Sequence, residues 1–172
     1  PIENASRPAG PGRAPPIIRN WVGVTYVGSR EDDAQATVAA LLLAPRLGST
    51  PAGMEVSLRL VELTHGHAIE ISGSAHGRKR PLVDFVGSVL PGLGDELDAA
   101  TVQRAVAVAR SRYLQAAATP WGLAESVGRR MDATGDPASA ARYLSELSAV
   151  TSDRLASYLA SLRGPLSADL GR

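Results

Sequence analysis

The heptapeptide WVGVTYV, from Trp21 to Val27, decides how the rest of the chain is interpreted. β-Branched and aromatic residues dominate it, as is typical of β-strands. Apolar side chains fall on both of its faces, so we predict an inner strand that is covered on both sides. The residues from Gly28 to Glu31 predict a turn, and a helix is expected next, capped by Asp32 and ended or distorted at Pro45. The apolar stripe of this helix consists of Ala34, Val38, Leu41 and Leu42.

Two further strands are predicted to form a hairpin. Apolar and polar residues alternate from Val56 to Leu60 and again from Ile69 to Ser72. The residues from Thr64 to His67 lie between these runs and predict the turn, in which Gly66 can take a positive φ. The hairpin makes the sheet at least partly antiparallel.

The second half of the chain has the periodicity of helices. The stripe from Leu82 to Leu93 predicts the clearest amphipathic helix. Four further helices have start signals, which lie at Asp98 or Thr101, at Thr119-Pro120, at Asp136-Pro137 and at Thr151. In the helix that begins at Thr119 we expect a buried face formed by Leu123, Ala124, Val127 and Met131. Both tryptophans, Trp21 and Trp121, are expected to anchor the core or an interface.

Early strands and late helices predict one α+β domain, a partly antiparallel sheet with helices packed on one face. We expect the domain to span residues 18–164. A linker or arm rich in proline and glycine is predicted for residues 1–17, and a loose tail for residues 165–172. Because the strand from Trp21 to Val27 is too apolar for an open edge, a further strand is expected from a missing segment or a partner.

The composition excludes several classes of function. Lysine and arginine number 18 and aspartate and glutamate 17, so the charge gives no reason to expect nucleic acid as a partner. Cysteine is absent, which excludes thiolate catalysis and cysteine-ligated zinc. The apolar run from Val38 to Ala44 is far shorter than the ~20 residues of a membrane span. The chain begins at Pro1 without a leader, so we expect a fragment or a processed product. A GC-rich bacterial genome is expected as its source. The composition does not fix the compartment, and the cytoplasm is the default expectation.

The three histidines offer a candidate metal site. His65 and His67 alternate near the predicted turn, His76 could be a third ligand, and Glu62 or Glu70 could complete the set. The alternative is an exposed hairpin tip with neutral histidines, because three ligands from one short turn need unusual backbone geometry. We therefore predict no metal site in this chain.

Other polar motifs predict solvent-exposed surface rather than a binding or catalytic site. The basic residues from His76 to Arg80 could receive a carboxylate or a phosphate, but a solvated loop is the simpler interpretation. The neighbouring Arg129 and Arg130 are interpreted as an exposed pair near a helix end. Neither a nucleophile elbow nor a glycine-rich phosphate loop is present.

Four stretches in this order resemble the pitrilysin/insulinase family of zinc metallopeptidases, whose relatives include the mitochondrial processing peptidases. The first runs from Trp21 through the acidic pair Asp32-Asp33 to the helix that ends at Leu47. The others comprise Ile69–Ser74 with the helix that follows, Thr119–Asp136 with its Thr-Gly-Asp end, and Leu147–Asp153 with its Ala-Val-Thr helix start. The resemblance covers about residues 18–162 and implies one half of a chamber that such domains form in pairs around a peptide.

The resemblance also implies what this chain lacks. The family binds zinc through His-x-x-Glu-His on a helix, and none of the three histidines begins that motif. The family's Arg…Tyr pair is also absent, because one alignment places Glu62 and Ile69 there and another places Met54 at the tyrosine position. We therefore expect no catalytic residue and no zinc in this chain, and a zinc-bearing domain or subunit as its partner.

The expected function is that of a non-catalytic half or inactive subunit, which closes the chamber around a peptide substrate. Strand addition would satisfy the backbone groups of such a peptide. The substrate-binding residues predicted on the hairpin are Val56, Leu58, Leu60, Ile69 and Ile71. The alternatives are a stand-alone protein-interaction module on the same fold and an independent hydrolase.

Overall fold

The computed structural model describes residues 19–48, 50, 53–63, 65–76, 79–94 and 97–168. The strands are β1 (Arg19–Ser29), β2 (Met54–Leu63), β3 (Gly66–His76) and β4 (Arg163–Ala168). The helices are α1 (Asp33–Leu47), α2 (Lys79–Val89), α3 (Pro91–Gly94), α4 (Ala99–Ala116), α5 (Pro120–Thr134), α6 (Ser139–Ser148) and α7 (Ser152–Ser161), and a 3-10 turn (Arg30–Asp32) precedes α1. The linker or arm predicted for residues 1–17 lies outside the described residues.

The strands form one antiparallel sheet in the order β2-β3-β1-β4. The predicted hairpin is confirmed as β2 and β3, and β1 is an inner strand as expected. The strand expected from a missing segment or a partner is β4, which belongs to this chain and pairs with β1. The prediction of a loose tail from residue 165 was therefore wrong as far as Ala168. Pro165 is compatible with β4 because an edge strand leaves half of its amide groups without a ladder partner.

The helices of the described chain pack on one face of the sheet, as the α+β prediction required. Val24 of β1 and Ile71 of β3 are directly paired and buried beneath the helical layer, where α1 and α2 contact the sheet. Burial of such a side chain contributes about 1.5–3 kcal/mol to folding. The opposite face carries polar cross-strand pairs such as Ser57 with Ser72, and Trp21 is 48% exposed there. The prediction that β1 is covered on both sides was therefore wrong.

Several predicted helix starts are confirmed by their caps. The side chains of Asp98, Thr119 and Thr151 each accept a hydrogen bond from a backbone N–H in the first helical turn. Asp32 precedes α1 as predicted but does not cap its backbone, because its carboxylate accepts hydrogen bonds from Ser29 and Gln35 instead. Within the described residues, none of the helices has both the length and the apolar character that crossing a membrane requires.

Helix α5 contradicts the predicted burial of its apolar stripe. Trp121 is 81% exposed, Leu123 52% and Met131 51%, whereas Val127 is half-buried. The reason is the position of α5, which packs mainly against α6 and α4. Of the two expectations for Trp121, the core anchor is therefore excluded and the interface anchor stays a prediction.

Candidate functional site

The strand pair β1 and β3 creates a niche for one histidine side chain. Gly28 lies directly opposite His67 in the ladder. A Cβ atom at position 28 would overlap with His67 Nε2, so only glycine leaves room for the imidazole. The ring enters the space between sheet and helices, and only 1% of His67 is exposed.

Around His67 lies a polar cluster, which we define as Asp33, His67, Arg130, Tyr143 and Tyr158. His67 Nδ1 is 2.9 Å from Asp33 Oδ1, and Nε2 is 2.7 Å from the Tyr158 hydroxyl. Arg130 Nη1 donates to Asp33 Oδ2 over 3.2 Å. The Arg130 guanidinium also stacks 3.7 Å above the centre of the Tyr143 ring. The cluster thus joins α1, β3, α5, α6 and α7.

The direction of each hydrogen bond follows from the groups that can only accept or only donate. A carboxylate only accepts, so the tautomer in which His67 Nδ1–H donates to Asp33 leaves Nε2 to accept from the Tyr158 hydroxyl. Burial, and next the negative charges of Asp32 and Asp33, raise the pKa of Tyr158 and keep its hydroxyl protonated. The pKa of Tyr143 is likewise raised by burial, and its hydrogen bond with Thr37, whose Oγ1 lies 2.5 Å from the Tyr143 hydroxyl, partly offsets this.

The polar cluster is a closed arrangement. Asp33 balances the charge of Arg130, and both side chains are about 12–14% exposed. Tyr158 is 2% exposed, so a substrate could not reach its hydroxyl. These contacts can hold the helices on the sheet, but they offer no free nucleophile. The prediction that Arg130 is an exposed partner of Arg129 was wrong, because only Arg129 lies at the surface.

The three histidines of the alternative metal site do not meet. His65 is exposed in the turn, His67 is buried, and His76 is exposed at the opposite end of the eleven-residue strand β3. His67 and His76 are thus separated by about 30 Å at the usual rise of a strand. In the part of the chain that the structure describes, no three histidine or carboxylate side chains are grouped as metal ligands. The three histidines are therefore not assembled into one site in this structure, and the predicted absence of a metal stays a prediction.

The predicted substrate-binding residues are divided between two strands. Ile69 and Ile71 lie in the inner strand β3 with no exposed surface, so their side chains cannot line a peptide site. Val56, Leu58 and Leu60 lie in β2, an edge strand of the described sheet, but their side chains pack against the core. What β2 can offer an extended peptide is its backbone. Peptide binding at this edge stays a prediction.

A cleft that the sequence did not indicate lies where β2 ends beside the helices. It has a volume of about 360 Å³, and α1, α4, α5 and α6 form its walls. Glu62 of β2, Arg112 and Tyr113 of α4, Arg129 of α5 and Tyr143 of α6 are among its lining residues. These residues come from distant parts of the chain and form no motif, so no sequence signal could have assembled them. The cleft has the size of a small-ligand or side-chain site.

Several solved protease structures share this fold. The periplasmic protease PqqL from Escherichia coli superposes with a TM-score of 0.71 and 12% identity over 87% of this chain, which spans 18% of PqqL. A protein assigned as a zinc protease from Bordetella pertussis Tohama I superposes with a TM-score of 0.70 and 14% sequence identity. The match covers 84% of this chain and 86% of the Bordetella pertussis chain. The inactive peptidase domain of a protein with the same assignment from Bordetella parapertussis superposes with a TM-score of 0.68 and 14% sequence identity. The match covers 90% of each chain. No protein-family model matches the sequence, and no curated protein does.

These likenesses establish the pitrilysin-like α+β fold that the sequence predicted. At 12–14% identity they extend to the fold alone. The chain corresponds to nearly all of the two Bordetella structures but to 18% of PqqL.

Proposed function

We propose that this chain is a non-catalytic half of a pitrilysin-like zinc peptidase assembly. In this role it closes a peptide chamber whose zinc is held by another domain or subunit. The observation that carries the proposal is the mutual 90% coverage with an inactive peptidase domain. That domain of the Bordetella protein is inactive, and the sequence here has no His-x-x-Glu-His motif.

The polar cluster supports this role. Asp33 and His67 carry side chains that serve acid–base or metal chemistry elsewhere, but here each is engaged by neighbours in the same chain. A closed pairing of this kind favours a structural use, because catalysis needs a group that the substrate can reach. The chain would then contribute shape and a sheet edge rather than reacting groups.

The edge strand β2 is the surface that we assign to an extended peptide. Its outward backbone groups can pair with a peptide regardless of the peptide's side chains. Two exposed charges of opposite sign lie along this strand, because Glu55 and Arg59 both point to the open face of the sheet. Such charges protect an edge from pairing with other copies while leaving the backbone available.

The test is purification of the complete natural polypeptide from its own cells with whatever it binds. We expect a domain or subunit with His-x-x-Glu-His to be present, with about one zinc per assembly by elemental analysis. Fluorogenic peptides should be cleaved by the assembly, and a chelator should stop the cleavage. The chain on its own should be inactive, and its addition to the zinc-bearing partner should raise the rate at least about tenfold.

Two outcomes would contradict the proposal. Cleavage by the isolated chain would make it an independent hydrolase. Absence of any zinc-bearing partner from the polypeptide and its complexes would favour the stand-alone interaction module. Hydrogen exchange sharpens the result, because a peptide added as a strand should protect amides of β2 and leave those of β4 unchanged.

A further inference from the structure

A second cleft, of about 310 Å³, adjoins the first along helix α4. It lies between the end of α1 and the beginning of α4, and Leu41 and Arg112 line both clefts. The two are therefore parts of one continuous depression, which we call the α1–α4 furrow. It extends along α4 from Thr101 to Ala116, about 22 Å at the helical rise.

The walls of the second cleft of the α1–α4 furrow are mainly apolar. Leu41, Leu42 and Pro45 of α1 face Ala105 and Val108 of α4. Val108 is 44% exposed, so the furrow leaves apolar surface in contact with water. Removal of such surface from water favours the binding of an apolar partner.

The charges of the furrow have one sign over most of its length. Helix α4 carries Arg104, Arg110 and Arg112 and no acidic residue. Arg104 and Arg112 line the furrow, and among the described residues Arg112 makes neither a hydrogen bond nor an ion pair. Acidic lining residues occur at the first cleft alone, where Glu125 is paired with Arg129 and Glu62 faces the arginines Arg112, Arg129 and Arg130. The chain as a whole has a net charge of +1, so this surplus is local.

We propose that the α1–α4 furrow binds a segment of a partner protein that carries both apolar side chains and carboxylates. The apolar side chains would lie between α1 and α4, and a carboxylate would pair with Arg112, whose planar guanidinium suits bidentate contact. A segment of about seven extended residues matches the length of the furrow. The inference does not depend on the proposed peptidase role, because a chain without a zinc-bearing partner would bind the same segment.

The first test uses synthetic fluorescein-labelled peptides of about seven residues, the length of the furrow. One alternates leucine with glutamate, a second leucine with lysine, and a third serine with glutamate. We expect fluorescence anisotropy to show the leucine–glutamate peptide binding at least about tenfold more tightly than either of the others. Equal affinity for all three peptides would overturn the proposal.

Substitutions locate the binding. Arg112→Glu should weaken the leucine–glutamate peptide at least about tenfold, and Arg80→Glu on the exposed surface of α2 should not change it. An equal loss in both variants would mean general charge attraction and would overturn the assignment. Thermal unfolding of each variant separates lost binding from lost folding.

The natural occupant can be identified with a photoreactive amino acid at Val108 in the complete polypeptide within its own cells. We expect cross-links to a segment of another protein that is rich in acidic and apolar residues. Cross-links to a basic segment or to a second copy of this chain would overturn the proposal. A self-association in sedimentation experiments that Arg112→Glu abolishes would overturn it in the same way.

Discussion

The polar cluster and the α1–α4 furrow meet at Arg130 and Tyr143, which also line the first cleft, and beyond these shared residues they use arginine in opposite ways. Arg130 in the cluster is stacked on Tyr143 and paired with Asp33. Arg112 in the furrow lies on the surface and, within the described residues, has no such partner. A buried charge must be paired with an opposite charge inside the protein, whereas an exposed charge is solvated and stays available to a ligand. Pairing and burial, rather than residue type, therefore distinguish the closed cluster from the surface that we propose as a binding site.

The strongest test of this contrast removes the charge at the centre of the polar cluster. Asp33→Asn leaves Arg130 largely buried without its counter-ion, and we expect a loss of about 3 kcal/mol in the free energy of unfolding. Urea unfolding measures it. Asp84→Asn, which disrupts the exposed pair with Arg80, is the control and should cost less than about 0.5 kcal/mol. Equal losses in the two variants would show that the cluster contributes no more than a surface pair.

The niche for His67 gives a second, smaller effect. Gly28→Ala places a methyl group against the imidazole, so we expect a loss of about 1–3 kcal/mol by urea unfolding. The same change in a His67→Ala background should cost much less, because the obstructing ring is gone. Gly128→Ala in α5, where nothing lies near the added atom, should instead stabilise the protein slightly. A Gly28→Ala cost that is independent of His67 would contradict the niche.

The pH dependence of stability tests the hydroxyl of Tyr158. Its pKa is raised in the folded state, so its contribution to stability is complete below the unfolded pKa of about 10 and is lost as the pH rises through the folded value. We expect the free energy of unfolding to fall above about pH 10, and to fall less steeply in Tyr158→Phe. Parallel curves for the two proteins would mean that Tyr158 does not govern the alkaline loss.

The smallest effect on stability is expected for the exposed side chain of Trp121. Trp121→Ser on α5 should change the free energy of unfolding by no more than about 0.5 kcal/mol, because the side chain is 81% exposed. Leu43→Ala in the buried stripe of α1 should cost about 2–5 kcal/mol in the same measurement. A large loss at Trp121 would place α5 against a surface of the same chain.

Local sequence signals such as helix caps predicted the secondary structure well, because they involve residues that are close together in the chain. Thr119, Asp98 and Thr151 cap their helices because capping involves residues three apart. The apolar stripe of α5 misled because its periodicity is the same whether the stripe faces the core or solvent. Strand β4 was missed because Gly164 and Pro165 resemble a stop signal, although an edge strand tolerates proline.

The sequence by itself determined the α+β architecture, the hairpin and the absence of His-x-x-Glu-His, because patterns of period two and 3.6 and a contiguous motif can be read along the chain. Only the tertiary structure decided which polar residues meet. Asp33 and Tyr158 reach His67 across 34 and 91 positions of sequence, and the furrow joins α1 to α4. Such contacts depend on how layers pack, and the packing follows from the whole core rather than from any one segment.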